Sequence, residues 1–269
     1  MKRRDWLTSS LAASALAALP AMDSGAQVQA ISPSAARDFY VLKRYQLRNG
    51  PQQRLVNDFL SKAAVPALNR AGVTPVGVFH GMAGPENPAV YVLTPYSSPD
   101  AILKATARLA HDEAYASQAA NYLDAPSSAP AYDRFETFLL EAFATTPRIE
   151  IPPAARANEP RIFELRTYEN PSENANRTKI KMFNTAEIAI FRRTGLRHVF
   201  FGRTLIGSRM PSITYMLTFK DMDERQRNWS VFGRDAEWKK LSSTPGYTDA
   251  EIVSNITNVF LSPASCSQI

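Results

Sequence analysis

The chain has 269 residues, enough for one large domain or two of ordinary size. Hydrophobic residues make up 45% and charged residues 21%, and the formal charge of +6 is spread rather than gathered in Lys/Arg runs, so nucleic acid is not an expected partner. The single cysteine, Cys266, excludes an internal disulfide, and three histidines without clustered Cys/His spacing point to no metal site.

The first predicted element is an export signal over residues 1–30. Arg3 and Arg4 precede Asp5, Trp6 and Leu7, and an Ala/Leu/Ser stretch runs from Leu7 to Leu19. KRRDWL is similar to a twin-arginine export motif. Ser24-Gly25-Ala26 and Val28-Gln29-Ala30 both fit a small-x-small cleavage site. The apolar stretch is short of the roughly 20 strongly apolar residues that a stable bilayer span needs, and no longer one follows. The expected location is periplasmic or secreted.

From Tyr40 onward the chain repeats itself at a fixed offset of 123 positions. Leu42 falls on Leu165, Tyr45 on Tyr168, Arg70 on Arg193, Gly72 on Gly195, Asp100 on Asp223 and Asp112 on Asp235. Each copy reads as strand, helix, two strands, helix, strand. The first strands are YVLKRYQL and IFELRTYE, and the first helices run over 51–71 and 174–194, with Gly72 and Gly195 placed as C-terminal caps. Strand pairs TPVGVFH/AVYVLTPY and RHVFFGRT/ITYMLTFK follow, then single helices over 99–121 and 222–241, with Asp100 and Asp223 as caps or first-turn acids. Last strands lie near 133–140 and 255–261. This predicts an α+β fold of two tandem ferredoxin-like (βαββαβ) repeats, residues 37–144 and 161–263, joined by a Pro/Ala-rich linker at 145–160. Closing the uncovered sheet faces on each other gives a dimeric α+β barrel-like architecture within one chain, or a larger assembly if chains pair.

FELRTY, the RDAEW segment and the ending VFLSP resemble the NIPSNAP family, and the first copy carries weaker versions in YVLKRY and HDEAY. The resemblance covers nearly the whole chain after the signal. It implies the dimeric α+β barrel superfamily, whose members include cofactor-free monooxygenases, haem enzymes and copies without known activity. It brings no agreed catalytic apparatus.

Strand alternation separates Phe163 and Leu165 from Glu164, Arg166 and Tyr168, and in the first copy Tyr40 and Leu42 from Val41, Lys43 and Tyr45. The apolar set is expected to face the helices and the polar set the space between the sheets. There Arg166 and Lys43 would suit an anionic ligand, or Arg166 would serve a structural pair with Glu164. His80 stands where the second copy has Arg203, and His198 starts the equivalent strand, so these three are further lining candidates and the histidines possible haem ligands. His111-Asp112-Glu113 is not a reactive trio, because consecutive helical residues point apart. Asp112 and Asp235, with Tyr115 and Trp238, read as a helix–sheet packing motif.

Three functions remain open: an exported protein binding a small organic ligand, an oxidative enzyme that is cofactor-free or haem-dependent, and an interaction scaffold. No cofactor is specified by the residues, and a homo-oligomer is compatible with each.

Overall fold

A computed structural model describes residues 36–48, 50–84 and 87–269, so the expected export signal lies outside the described residues. The first half contains β1 (Phe39–Gln46), α1 (Pro51–Asp58), α2 (Val65–Arg70), β2 (Gly77–Gly81), β3 (Ala89–Tyr96), α3 (Pro99–Ala110), α4 (Glu113–Leu123) and β4 (Arg134–Ala142). A short helix, α5 (Pro153–Arg156), precedes the second half. That half contains β5 (Ile162–Glu169), α6 (Glu173–Met182), α7 (Ile188–Arg193), β6 (Arg197–Ile206), β7 (Ser212–Phe219), α8 (Met222–Arg234), α9 (Ala236–Ser242), α10 (Asp249–Ile252) and β8 (Asn255–Pro263). All ladders are antiparallel, and the strands close into a barrel in the order β1-β3-β2-β8-β5-β7-β6-β4.

The offset in sequence reappears as a shared register: Phe39 pairs Tyr96 and Gln46 pairs Ala89, just as Ile162 pairs Phe219 and Glu169 pairs Ser212. Gly72 and Gly195 both take positive φ, 87° and 83°, immediately beyond α2 and α7. The left-handed turn is what a glycine cap supplies without strain. Between α1 and α2, and again between α6 and α7, the helix widens into a π-helical stretch, Phe59–Ala64 and Phe183–Glu187. Pro66 follows only the first of these, with Ala189 in its place in the second, so proline is not the cause.

The second helix of each half differs from expectation. Instead of single helices, α3 stops before α4 and α8 before α9, because Asp112 and Asp235 act as N-caps. Asp112 accepts from the Tyr115 N–H, and Asp235 from those of Glu237 and Trp238. Each carboxylate also reaches back past that helix to an earlier one, to Arg70 of α2 at 2.7 Å and Arg193 of α7 at 2.6 Å. Asp112 and Asp235 thus cap and tie helices together. The caps of α3 and α8 are Ser98 and Asp221, which leaves Asp100 and Asp223 as first-turn acids.

Tyr40, Leu42, Phe79, Leu93, Leu140, Phe163, Leu165, Phe200, Met216 and Leu261 fill the lumen as one buried cluster. Outside the barrel, each half has its own helix–sheet core, built on Tyr45, Phe59, Val78 and Val92 in the first and on Tyr168, Phe183, Phe201 and Tyr215 in the second. The segment 145–160 lies against the barrel: Glu150 N–H donates to the Val199 carbonyl, and Ile149 packs on the lumen cluster. Phe163 has no exposed surface, so Phe163→Ala is expected to cost about 3–5 kcal/mol, read as a lowered midpoint in urea unfolding.

Candidate functional site

The polar side of β5 faces the helices, not the lumen, which reverses the expected orientation. Glu164 is fully buried and accepts from Arg166 Nη1 (2.8 Å), Arg225 Nε and Nη2 (2.9 and 2.8 Å) and Trp229 Nε1 (2.8 Å). Arg225 and Trp229 belong to α8, so this carboxylate ties sheet to helix layer. Strand alternation defines two faces but cannot name them when both are covered. The lumen, closed on all sides by strands, took the face without charges. Lys43 and Tyr45 are turned the same way in the first half, and Tyr45 packs in its helix–sheet core.

Around Glu164 grows a buried polar cluster. Arg166 Nη2 donates to Tyr168 Oη at 3.2 Å, and Tyr215 Oη donates to the same oxygen at 3.0 Å. The Arg166 guanidinium lies 4.6 Å from the Trp229 ring centroid. Lys179 Nζ sits 3.3 Å from Glu187 and 3.5 Å from Asp249, within 6 Å of the ring centroids of Tyr168, Phe183 and Trp238. The π-helical turn brings Phe183 and Glu187 together into the buried layer. Burial opposes the charge on Glu164, but Arg225, Arg166 and Trp229 hold its carboxyl below the ordinary value. Burial dominates at Glu187 and pushes its carboxyl up to about 7 against the pull of Lys179. Lys179, also opposed by burial, is kept protonated mainly by Glu187.

The first half builds the same layer without these groups. At offset 123, Val41 stands for Glu164, Val56 for Lys179, Ala64 for Glu187, Val92 for Tyr215, Ile102 for Arg225 and Thr106 for Trp229. Lys43 has no carboxylate partner among the described residues, and burial lowers its pKa. These charges are therefore not a requirement of the fold. Sequence reasoning missed Lys179, Glu187, Tyr215, Arg225 and Trp229, and positions where the repeat breaks from apolar to polar were the available signal.

The remaining candidates are dispersed. His80 is half-buried on β2, and burial lowers its pKa. Arg203 pairs with Glu141 at 2.9 Å. His198 is buried, with Nε2 3.0 Å from Glu150, and burial lowers its pKa against the pull of that carboxylate. The expected lining set of Glu164, Arg166, Tyr168, Lys43, Tyr45, His80, Arg203 and His198 is therefore not one lumen site.

The lumen has an opening of its own. At the end where β1 and β5 finish, a cavity of about 280 Å³ lies above the apolar cluster. Leu42, Tyr91, Phe138, Leu165 and Val259 supply its apolar surface. Its polar wall carries hydroxyls, with Thr167 and Thr214 3.0 Å apart and Ser212 donating to Thr204 at 2.8 Å. Two arginines complete it. Arg44 pairs with Glu136 at 2.6 Å, and Arg209 donates to Thr257 Oγ1 at 3.2 Å. Arg209 takes a φ of 61°, uncommon outside glycine, in the loop beside the opening.

The sequence profile of the NIPSNAP family matches two stretches, residues 40–127 and 163–268. The chain belongs to the NIPSNAP family. Solved structures share its fold at low identity. A provisionally assigned monooxygenase from Lactobacillus acidophilus superposes with a TM-score of 0.56 at 8% identity, over 84% of this chain and 94% of that one. Another such protein, from Fusobacterium nucleatum, gives 0.57 at 11%, over 85% and 93%. An anthrone oxidase-like protein gives 0.53 at 12%, over 86% and 93%. No curated protein matches this NIPSNAP chain. Among the described residues no group of His, Cys, Asp and Glu could hold a metal ion, and no helix is long and apolar enough to cross a membrane.

Two outcomes test the buried cluster. Lys179→Met alone, which strands Glu187, is expected to cost about 3–5 kcal/mol, whereas Lys179→Met with Glu187→Leu is expected to be neutral or stabilising in urea titrations. Glu187 also links stability to pH. Its folded value near 7 lies above the ordinary 4.5, so the neutral carboxyl's contribution is complete below about pH 4.5 and is lost as pH rises through about 7. Glu187→Gln should flatten the profile of Tm against pH in that window, and an unchanged slope would assign it to other groups.

Proposed function

We propose that this NIPSNAP protein binds a small organic ligand at the mouth of its barrel. The cavity itself carries the reading, since it joins an apolar floor to a wall of hydroxyls and guanidinium groups. Its roughly 280 Å³ falls just below the roughly 300–1,000 Å³ of ordinary ligand pockets, so the ligand is small. That combination suits a short apolar body with a polar or anionic head, the body on Leu42, Leu165 and Val259 and the head toward Thr214, Thr257 and Arg209. The housing is read as a fused duplication of a ferredoxin-like unit, supported by the matching half-barrel orders β4-β1-β3-β2 and β8-β5-β7-β6. Export is inferred from Arg3, Arg4 and the Ala/Leu/Ser stretch that follows, and on this reading the protein works in the periplasm or outside the cell.

A second reading is an oxidative enzyme, favoured by the acid–base cluster that only the second half contains. Glu187 and Arg166 would be its proton carrier and its anion stabiliser, and the reading requires a substrate to enter their buried layer, which the described cavities do not reach. A haem version lacks a candidate axial ligand at the mouth, since neither His80 nor His198 lines that cavity.

Native mass spectrometry of protein from its own host and a thermal-shift panel of small carboxylates and alcohols test the first reading. A retained or stabilising ligand is expected, with affinity at least tenfold lower in Ser208→Trp, which narrows the opening, and in Arg209→Ala. Bare protein and no shift across the panel would remove it. Oxygen uptake with anthrone that is lost in Glu187→Gln would select the enzymatic reading instead.

A further inference from the structure

The barrel has two seams where its halves meet, β4 against β6 and β2 against β8. The first encloses a cavity of about 330 Å³, separate from the mouth, whose charged groups are Arg37, Glu141, Arg177 and Arg203. Glu141 is shared: Oε1 lies 3.1 Å from Arg37, and Oε2 accepts from Arg203 at 2.9 Å. Arg177 is held by a neutral partner, donating to Asn174 Oδ1 at 2.6 Å. Two guanidinium groups therefore share one carboxylate, and a third lines the same cavity without an acidic partner among the described residues. Arg203 Nε is also buried without a hydrogen-bond partner among the described residues.

The other seam shows what joining the halves requires. At the equivalent ladder position, where Glu141 pairs Arg203, β2 and β8 set His80 against Ser262. The seam closes there without an acid–arginine pair. The arginine excess is thus a property of one seam rather than of barrel closure.

We propose that the β4–β6 seam is an anion-binding site for a carboxylate or phosphate group. Arg177 and Arg203 grip the oxyanion, and Glu141 positions Arg203 and Arg37 around it. Planar guanidinium forks match two-oxygen acceptors, and two net positive charges remain after Glu141 is counted. The site is independent of the mouth ligand, because Arg209 and the threonine wall lie in a different cavity.

The test is calorimetric titration of the full chain with inorganic phosphate and with succinate, at constant ionic strength set by sodium chloride. Saturable binding of at least one is expected, and which one binds distinguishes phosphate from carboxylate recognition. Arg177→Gln with Arg203→Gln should weaken that binding at least tenfold, while Arg209→Gln leaves it unchanged. Arg203→Lys, which keeps the charge and loses the fork, should fall between. Should the double variant fail to fold, the exposed Arg177→Gln alone carries the test and should weaken binding measurably. Absence of saturable binding of both anions, or equal affinity in the folded arginine variants, overturns the proposal. Loss in Arg209→Gln instead would move the anion to the mouth.

Discussion

Closure of eight strands into one barrel is the constraint on which the rest depends. A closed sheet leaves no unpaired edge, and a lumen packed with Tyr40, Phe79, Phe163, Phe200 and Met216 leaves no solvent for a charge. Below the mouth, where Arg44 and Glu136 pair, the charges of β5 therefore had to go outward, where helices can answer them. Glu164 illustrates the result. It is as buried as Phe163 beside it, yet it is surrounded by four donors from Arg166, Arg225 and Trp229.

The matching layout of the two halves separates what the fold needs from what one half adds. Arg70–Asp112 and Arg193–Asp235 occur in both halves at equivalent places and tie α2 to the start of α4 and α7 to the start of α9, so they belong to the scaffold. Lys179, Glu187, Tyr215 and Arg225 have apolar counterparts and belong to the second half alone. A buried ion pair is a weak source of stability, and replacing one by packed apolar groups is often neutral or better. The first half is that replacement already made, with Val56 and Ala64 in the same layer of the same chain. Stability alone does not explain the polar version.

Much of the fold was legible because the repeat tests each assignment twice. Element order, the starts of the second helices at Pro99 and Met222, and the glycine caps agreed between copies, and the structure keeps them, whereas β2 is shorter than its expected stretch and begins at Gly77. The breaks at Asp112 and Asp235 were hidden, because an aspartate within an otherwise helical stretch reads the same whether it continues the helix or caps a new one; the Arg70 and Arg193 contacts that decide this are 42 residues distant. The side of β5 was hidden for a different reason. Alternation carries phase but no sign, and with aromatic layers on both faces neither side looks wet. The mouth cavity was least visible, since its walls come from both halves and no segment carries more than a few of them.

Within the lumen, side-chain size explains where space is left. Toward the closed end the inward positions hold Phe163, Phe200, Leu93 and Leu140, which meet across the axis. Toward the mouth, strands β5 to β8 present Thr167, Thr204, Ser212, Thr214 and Thr257. Threonine keeps the branched Cβ that suits a strand, while its short side chain stops well before the axis and ends in a hydroxyl. The first half meets these with longer groups, Tyr91, Phe138 and the Arg44–Glu136 pair. A lumen made of large residues on one side and small hydroxylated ones on the other leaves an off-centre space with one apolar and one polar wall. That asymmetry arises because the two halves, alike in register, differ in side-chain size at the inward positions near the mouth.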